Sequence, residues 1–173
     1  MMNTLTMYKA TEPVFLQTLT ALDAILTKAE AHAAARKIAP ETLLFARLYP
    51  DMFHFTRQVQ LTCDFAMRTM ARLSGMEPPS VPDTEKTFEE LHARIARAIS
   101  YVKVADARAI DNSANKDIVF PSGGQERRLN GVDYLTRFAL PNFYFHAAAA
   151  YAILRENGID LGKRDFMGAV PGF

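Results

Sequence analysis

Asn142 and His146 have the strongest claim to chemistry in this sequence. They stand four positions apart, which stacks them one above the other on a helix. Leu135, Phe138, Phe145, Ala149 and Ile153 fall on the same helical face, so the spacing predicts that Asn142 and His146 point inward. A polar group buried without a partner is costly, so another element must meet them. Gln60 and Asp64, again four apart, lie on the flank of the second long helix. His54 and Gln58 form another such pair, turned further round. Three readings are open. The residues form a hydrogen-bonded core network in which Asp64 or Gln60 fixes the His146 tautomer. Or Gln60, Asp64, Asn142 and His146 line a small-molecule pocket between facing helices. Or His146 and Asp64 hold a divalent metal, zinc or nickel, through imidazole nitrogen and carboxylate oxygen. If the protein is an enzyme, His146 is expected as the acid/base group or ligand, with Asp64 orienting it or balancing its charge.

The remaining reactive side chains carry less. Cys63 sits mid-helix at an apolar position, where a free thiol packs as a small hydrophobe. His32 is expected exposed near the end of the first helix, and His92 on the charged side of the third. The sequence contains no P-loop, no G-x-G-x-x-G, no paired C-x-x-C and no H-E-x-x-H, the spacings that would mark phosphate, dinucleotide or zinc chemistry. A serine-nucleophile elbow is also missing. Gly123-Gly124 reads as a turn.

The elements that must position these residues are helices. Phe15, Leu19, Leu22, Leu26 and Ala29 recur at spacings of three and four, which predicts a helix from Thr11 to about Arg36 with Pro13 in its first turn. Pro40 to Leu48 reads as a short helical turn. Asp51 is placed to cap a second long helix from Met52 to Leu73, ended by Ser74-Gly75. Glu77 to Pro82 is an extended linker. Asp83 or Thr84 is expected to cap a third helix with the stripe Phe88, Leu91, Ile95, Ile99 and Val102. Glu90 and Arg94 read as a surface ion pair on its outer side. Asp111 to Asp117 is a polar loop. Ile118-Val119-Phe120 and Gln125 to Leu129 read as the strands of a hairpin, which must lean on the bundle because two strands alone are marginal. Asn130 caps the fourth helix, Pro141 should kink it, and Asn157-Gly158 ends it. The tail from Ile159 to Phe173 shows no helical period. There Lys163, Arg164 and Asp165 read as a solvated loop and Phe166 as its anchor.

The expected fold is therefore all-α: one domain over residues 1–173, an antiparallel four-helix bundle with a short β-hairpin between helices three and four and an irregular C-terminal tail. The length of 173 residues suits one domain. Twenty basic residues face nineteen acidic ones, a net charge of +1, so neither a nucleic-acid partner nor an anionic membrane is expected. The longest apolar run, Ala147 to Leu154, is far short of the roughly 18 residues of a membrane span. Met1 to Ala10 shows no signal-peptide pattern, and the single cysteine excludes an intrachain disulfide, so a cytoplasmic location is expected. Phe143-Tyr144-Phe145, with Tyr134 and Tyr151, cannot all face one core. Some of these rings must cover another element or a partner chain, which suggests a homodimer interface.

Several separated blocks carry a family resemblance: Pro50-Asp51-Met52-Phe53, Arg57-Gln58-Val59-Gln60, Cys63-Asp64-Phe65-Ala66, and Phe138 to His146. The tail Asn157-Gly158 with Gly162-Lys163-Arg164-Asp165-Phe166 completes them. Together they resemble an uncharacterised branch of the DinB/YfiT-like superfamily. The resemblance implies a DinB-like four-helix bundle, often dimeric, in a group that includes metal-dependent enzymes such as thiol transferases. It also implies a metal site with one His from helix two and an H-x-x-x-H pair from helix four. Only His146 matches that pattern. Asn142 precedes it by four and Ala150 follows it by four, and helix two offers Gln58, Gln60 and Asp64, with His54 nearer its start. The alternative to a ligand-binding bundle is a non-catalytic dimeric scaffold whose buried polar residues only specify packing.

Overall fold

The computed structural model describes residues 5–172; residues 1–4, the start of the segment read for a signal peptide, lie outside them. Four long helical elements form the bundle. These are α1 (Glu12–Arg36), α3 (Phe55–Ser74), α4 (Phe88–Lys103), and a final stretch built from α6 (Gly131–Asp133), a π-helical segment (Tyr134–Ala139) and α7 (Leu140–Glu156). Helix α3 packs against both α4 and α7, and α1 packs against α4. Two short helices fill corners: α2 (Pro40–Leu44) and α5 (Ala107–Asp111).

The core is where the apolar periodicity places it. Phe15, Leu19, Leu22, Leu26 and Ala29 of α1 are buried, as are Val59, Cys63, Ala66, Met70 and Leu73 of α3 and Leu91, Ile95 and Val102 of α4. Two helix starts lie later than expected. Asp51 does not cap α3; His54 does, its Nδ1 accepting the Arg57 N–H at 3.3 Å. Neither Asp83 nor Thr84 caps α4. Thr87 does, in a reciprocal capping box with Glu90, which satisfies two orphan N–H donors at once. Glu90 is therefore occupied at the helix start, and Arg94 turns into the protein instead of pairing with it.

The hairpin is present as β1 (Asp117–Ser122) and β2 (Gln125–Asn130), with Ile118 opposite Leu129 and Phe120 opposite Arg127. Gly123 and Gly124 both take positive φ, 61° and 74°, as a two-residue hairpin turn requires. Ile118 and Phe120 are buried, and the Phe120 ring lies 5.0 Å from Tyr134 and 4.5 Å from Phe138. The hairpin thus leans on the last helical stretch. That stretch begins against the polar loop: a Cβ on Gly131 would stand 2.1 Å from the Ser113 carbonyl oxygen, so only glycine fits.

The expected kink at Pro141 takes a different form. The π-helical turn precedes the proline, and such a turn adds a residue to the helical repeat. Through it and beyond, the buried stripe runs through Leu135, Ala139, Phe143, His146/Ala147, Ala149/Ala150 and Ile153/Leu154. Compared with the sequence expectation, Phe138 and Asn142 have given way to Ala139 and Phe143, and Phe145 is 59% exposed. The C-terminal tail carries one short helix, α8 (Lys163–Met167), and it is docked. Asp165 pairs with Lys28 at 2.7 Å, Gln17 Nε2 donates to the Met167 carbonyl at 2.7 Å, and Phe166 meets Tyr151.

Candidate functional site

His146 lies on α7 facing α3 and is 8% exposed. Its partner is neither Asp64 nor Gln60, as expected, but Gln58: His146 Nδ1 and Gln58 Oε1 are 2.8 Å apart. The second Gln58 amide atom fixes the chemistry of that contact. Gln58 Nε2 donates to the Phe53 carbonyl at 3.3 Å. A backbone carbonyl only accepts, so the NH2 group faces Phe53 and the oxygen faces the imidazole. An amide oxygen also only accepts, so Nδ1 is the protonated ring nitrogen. The lone pair is then left on Nε2. Among the described residues Nε2 has no hydrogen-bond partner, yet the sealed unpartnered side-chain atoms are Thr69 Oγ1 and Arg94 Nε. Nε2 is therefore not completely sealed.

The surroundings hold this imidazole neutral. Burial, with a smaller contribution from the Arg57 guanidinium, pushes its pKa down to about 4. Phe65 stacks on the ring at 5.6 Å and 20°, and Phe145 meets it edge-on at 5.3 Å. The site is thus a neutral imidazole flanked by two phenyl rings, of which Phe145 is 59% exposed.

The other expected site residues lie elsewhere. Asn142 is half-buried and donates from Nδ2 to the Phe138 carbonyl at 2.7 Å, within its own helical stretch. Asp64 is buried between two arginines: Oδ1 meets Arg94 Nη2 at 2.6 Å and Oδ2 meets Arg68 Nη2 at 3.0 Å. Arg94 also holds Glu85 at 2.9 Å, Asp83 at 3.1 Å and the Pro82 carbonyl at 2.9 Å. Gln60 belongs to the same network, donating to Glu85 Oε2 at 2.8 Å and accepting from Arg57 at 3.2 Å, while Arg57 pairs with Asp83. This network floors a separate cleft of about 400 Å³ lined by Phe45, His54, Arg57, Gln60, Asp83 and Glu85. Its ionic and amide groups pair with one another, apart from Arg94 Nε, which is buried without a partner among the described residues.

The donor set around His146 does not fit zinc or nickel. One imidazole nitrogen is available, Gln58 and Asn142 are committed to other hydrogen bonds, and Asp64 is neutralised by arginines on another face. Stable sites for these ions draw on several nitrogen or sulfur ligands, and among the described residues no group of three or more His, Cys, Asp or Glu is placed to hold a metal. Cys63 is fully buried, which pushes its thiol far above the ordinary range and leaves no thiolate. His92, expected on an open charged face, bonds Asp23 at 2.6 Å and ties α4 to α1.

Sequence reasoning brought His146 to the site but missed Gln58, Phe65 and Arg57 as its neighbours. Among the described residues no helix is long and apolar enough to cross a membrane.

Comparison with known proteins gives the chain its relatives. No curated protein matches it. A crystal structure of a DinB family member protein from Shewanella denitrificans is similar over 95% of this chain and 93% of that one, with 38% identity and a TM-score of 0.88. The model of the family described as Domain of unknown function (DUF1993) matches residues 7–167. The chain belongs to that family, and its architecture is that of a DinB-like helical bundle.

Proposed function

We propose that this protein binds a small molecule at the α3–α7 face, with His146 as the recognising group. The observation that carries this reading is the oriented imidazole: Gln58 claims Nδ1, and Nε2 is left without a partner among the described residues on a ring flanked by Phe65 and Phe145. A pKa of about 4 makes this nitrogen a weak proton carrier near neutrality. It suits a hydrogen-bond acceptor better than a general acid or base. The test is ligand-observed NMR against a fragment library, with wild-type protein and His146→Ala side by side. Binding that disappears in His146→Ala supports the site. A fragment profile unchanged by the substitution, with only a lowered melting temperature, supports instead the scaffold reading, in which His146 and Gln58 specify packing.

The exposed rings favour a homodimer as the working assembly. Tyr134 is buried and Tyr151 is covered by Phe166, but Tyr144 is 40% and Phe145 59% exposed on α7. Aromatic side chains left open on one helix are a common interface signature. Light scattering coupled to size exclusion is expected to give twice the chain mass at micromolar concentration; a monomer at that concentration counts against the dimer.

A further inference from the structure

We infer that the ligand of the His146 site is a molecule carrying one O–H or N–H donor on an aromatic body, a phenol or an azole, rather than a carboxylate or a metal ion. This rests on the site reading given above and adds the ligand's chemistry. The site presents a single polar atom, Nε2, and that atom accepts, because the bonds from Gln58 to Phe53 and to His146 force the proton onto Nδ1. The Gln58 NH2 is turned to the Phe53 carbonyl, so its oxygen and not a donor meets the imidazole. A carboxylate would bring only acceptor oxygens to that lone pair. What remains is a donor for Nε2 and a planar apolar body for the rings. Phe145, 59% exposed, offers an edge and a face to such a body.

The role of Gln58 follows as that of a positioning residue. It touches the imidazole and the Phe53 carbonyl, and it selects which ring nitrogen meets the ligand. Gln58→Leu removes that selection while keeping an apolar side chain in a buried place.

The experiment uses the whole chain labelled with ¹⁵N-histidine and three probes of similar size: p-cresol, toluene and benzoate. Long-range ¹⁵N–¹H spectra of the free protein come first. A protonated Nδ1 and bare Nε2 on His146 are expected; a protonated Nε2 would overturn the site reading itself. The probes then test the ligand class. p-Cresol is expected to shift the Nε2 resonance upfield and to bind about tenfold more tightly than toluene, the value of one hydrogen bond to an otherwise idle acceptor. Benzoate is expected to bind no better than toluene. In His146→Phe, which keeps a ring between Phe65 and Phe145, p-cresol should lose its advantage over toluene, and in Gln58→Leu the advantage should shrink. Equal affinities for p-cresol and toluene, tighter binding of benzoate, or no p-cresol binding at millimolar concentration would each overturn the inference while leaving the tautomer result standing.

Discussion

At the scale of the residue, the informative side chain is His146, and its burial has a consequence for stability. Its native pKa is lowered to about 4 from an ordinary 6.5, first by burial and then by Arg57. Between those two values the unfolded chain takes up a proton that the native protein refuses. Stability therefore rises with pH across that window, is fully present above about 6.5, and is lost as pH falls toward 4. The melting temperature is expected to drop on acidification from pH 7 to pH 4.5. His146→Gln, which cannot titrate, should flatten part of that slope, by an amount on the order of several degrees. Parallel slopes for the two proteins in calorimetry would show that His146 is solvated and charged in the native state. The residue was legible in the sequence because a helical spacing put it beside apolar neighbours. Its partner was not. Gln58 and Gln60 are two residues apart, roughly 200° around a helix, and composition favours neither. The choice was made by the α3–α7 packing, which the sequence does not display.

At the scale of the element, local chemistry explains both the hits and the misses. The stripes of α1, α3 and α4 were readable because an unbroken repeat of 3.6 residues marks one face. In the last stretch His146, Ala149 and Ile153 are buried as the spacing predicts, but the positions next to the π-helical turn at Tyr134–Ala139 are not. A 3.6-residue pattern carried across that turn arrives one residue early, which is why Asn142 was expected inward and Phe143 is the residue found there. The extra residue left no mark in residue types, apart from Pro141, whose missing N–H relaxes the hydrogen-bond ladder at that point. The α4 start is a different kind of miss. Thr87-Phe88-Glu89-Glu90 is a capping-box sequence, and the signal was present; Asp83 and Thr84 compete with it because they are good caps too. Asp83 is instead drawn into ion pairs with Arg57 and Arg94, a tertiary use that propensity does not reveal. The hairpin was read nearly to its ends, since two glycines in sequence specify the turn.

At the scale of the whole molecule, Arg94 is the group on which separate parts of the chain converge. Its side chain is 1% exposed. It joins α4 to α3 through Asp64, and to the segment before α4 through Pro82, Asp83 and Glu85. A guanidinium suits this place because its planar fork serves several acceptors at once. The same burial makes its removal costly, because Asp64 and Glu85, themselves 5% and 10% exposed, would be left with reduced compensation. Arg94→Met is expected to lower unfolding stability by about 3–5 kcal/mol, a large fraction of the roughly 5–15 kcal/mol of an ordinary domain. Adding Asp64→Leu should restore part of that loss, since the stranded carboxylate is removed together with its counterion. Urea unfolding of the two single variants and the double variant measures the coupling. A loss below about 1 kcal/mol in Arg94→Met would put the network on the scale of exposed ion pairs, and would mean that α3, α4 and the preceding segment are held together by their apolar contacts alone.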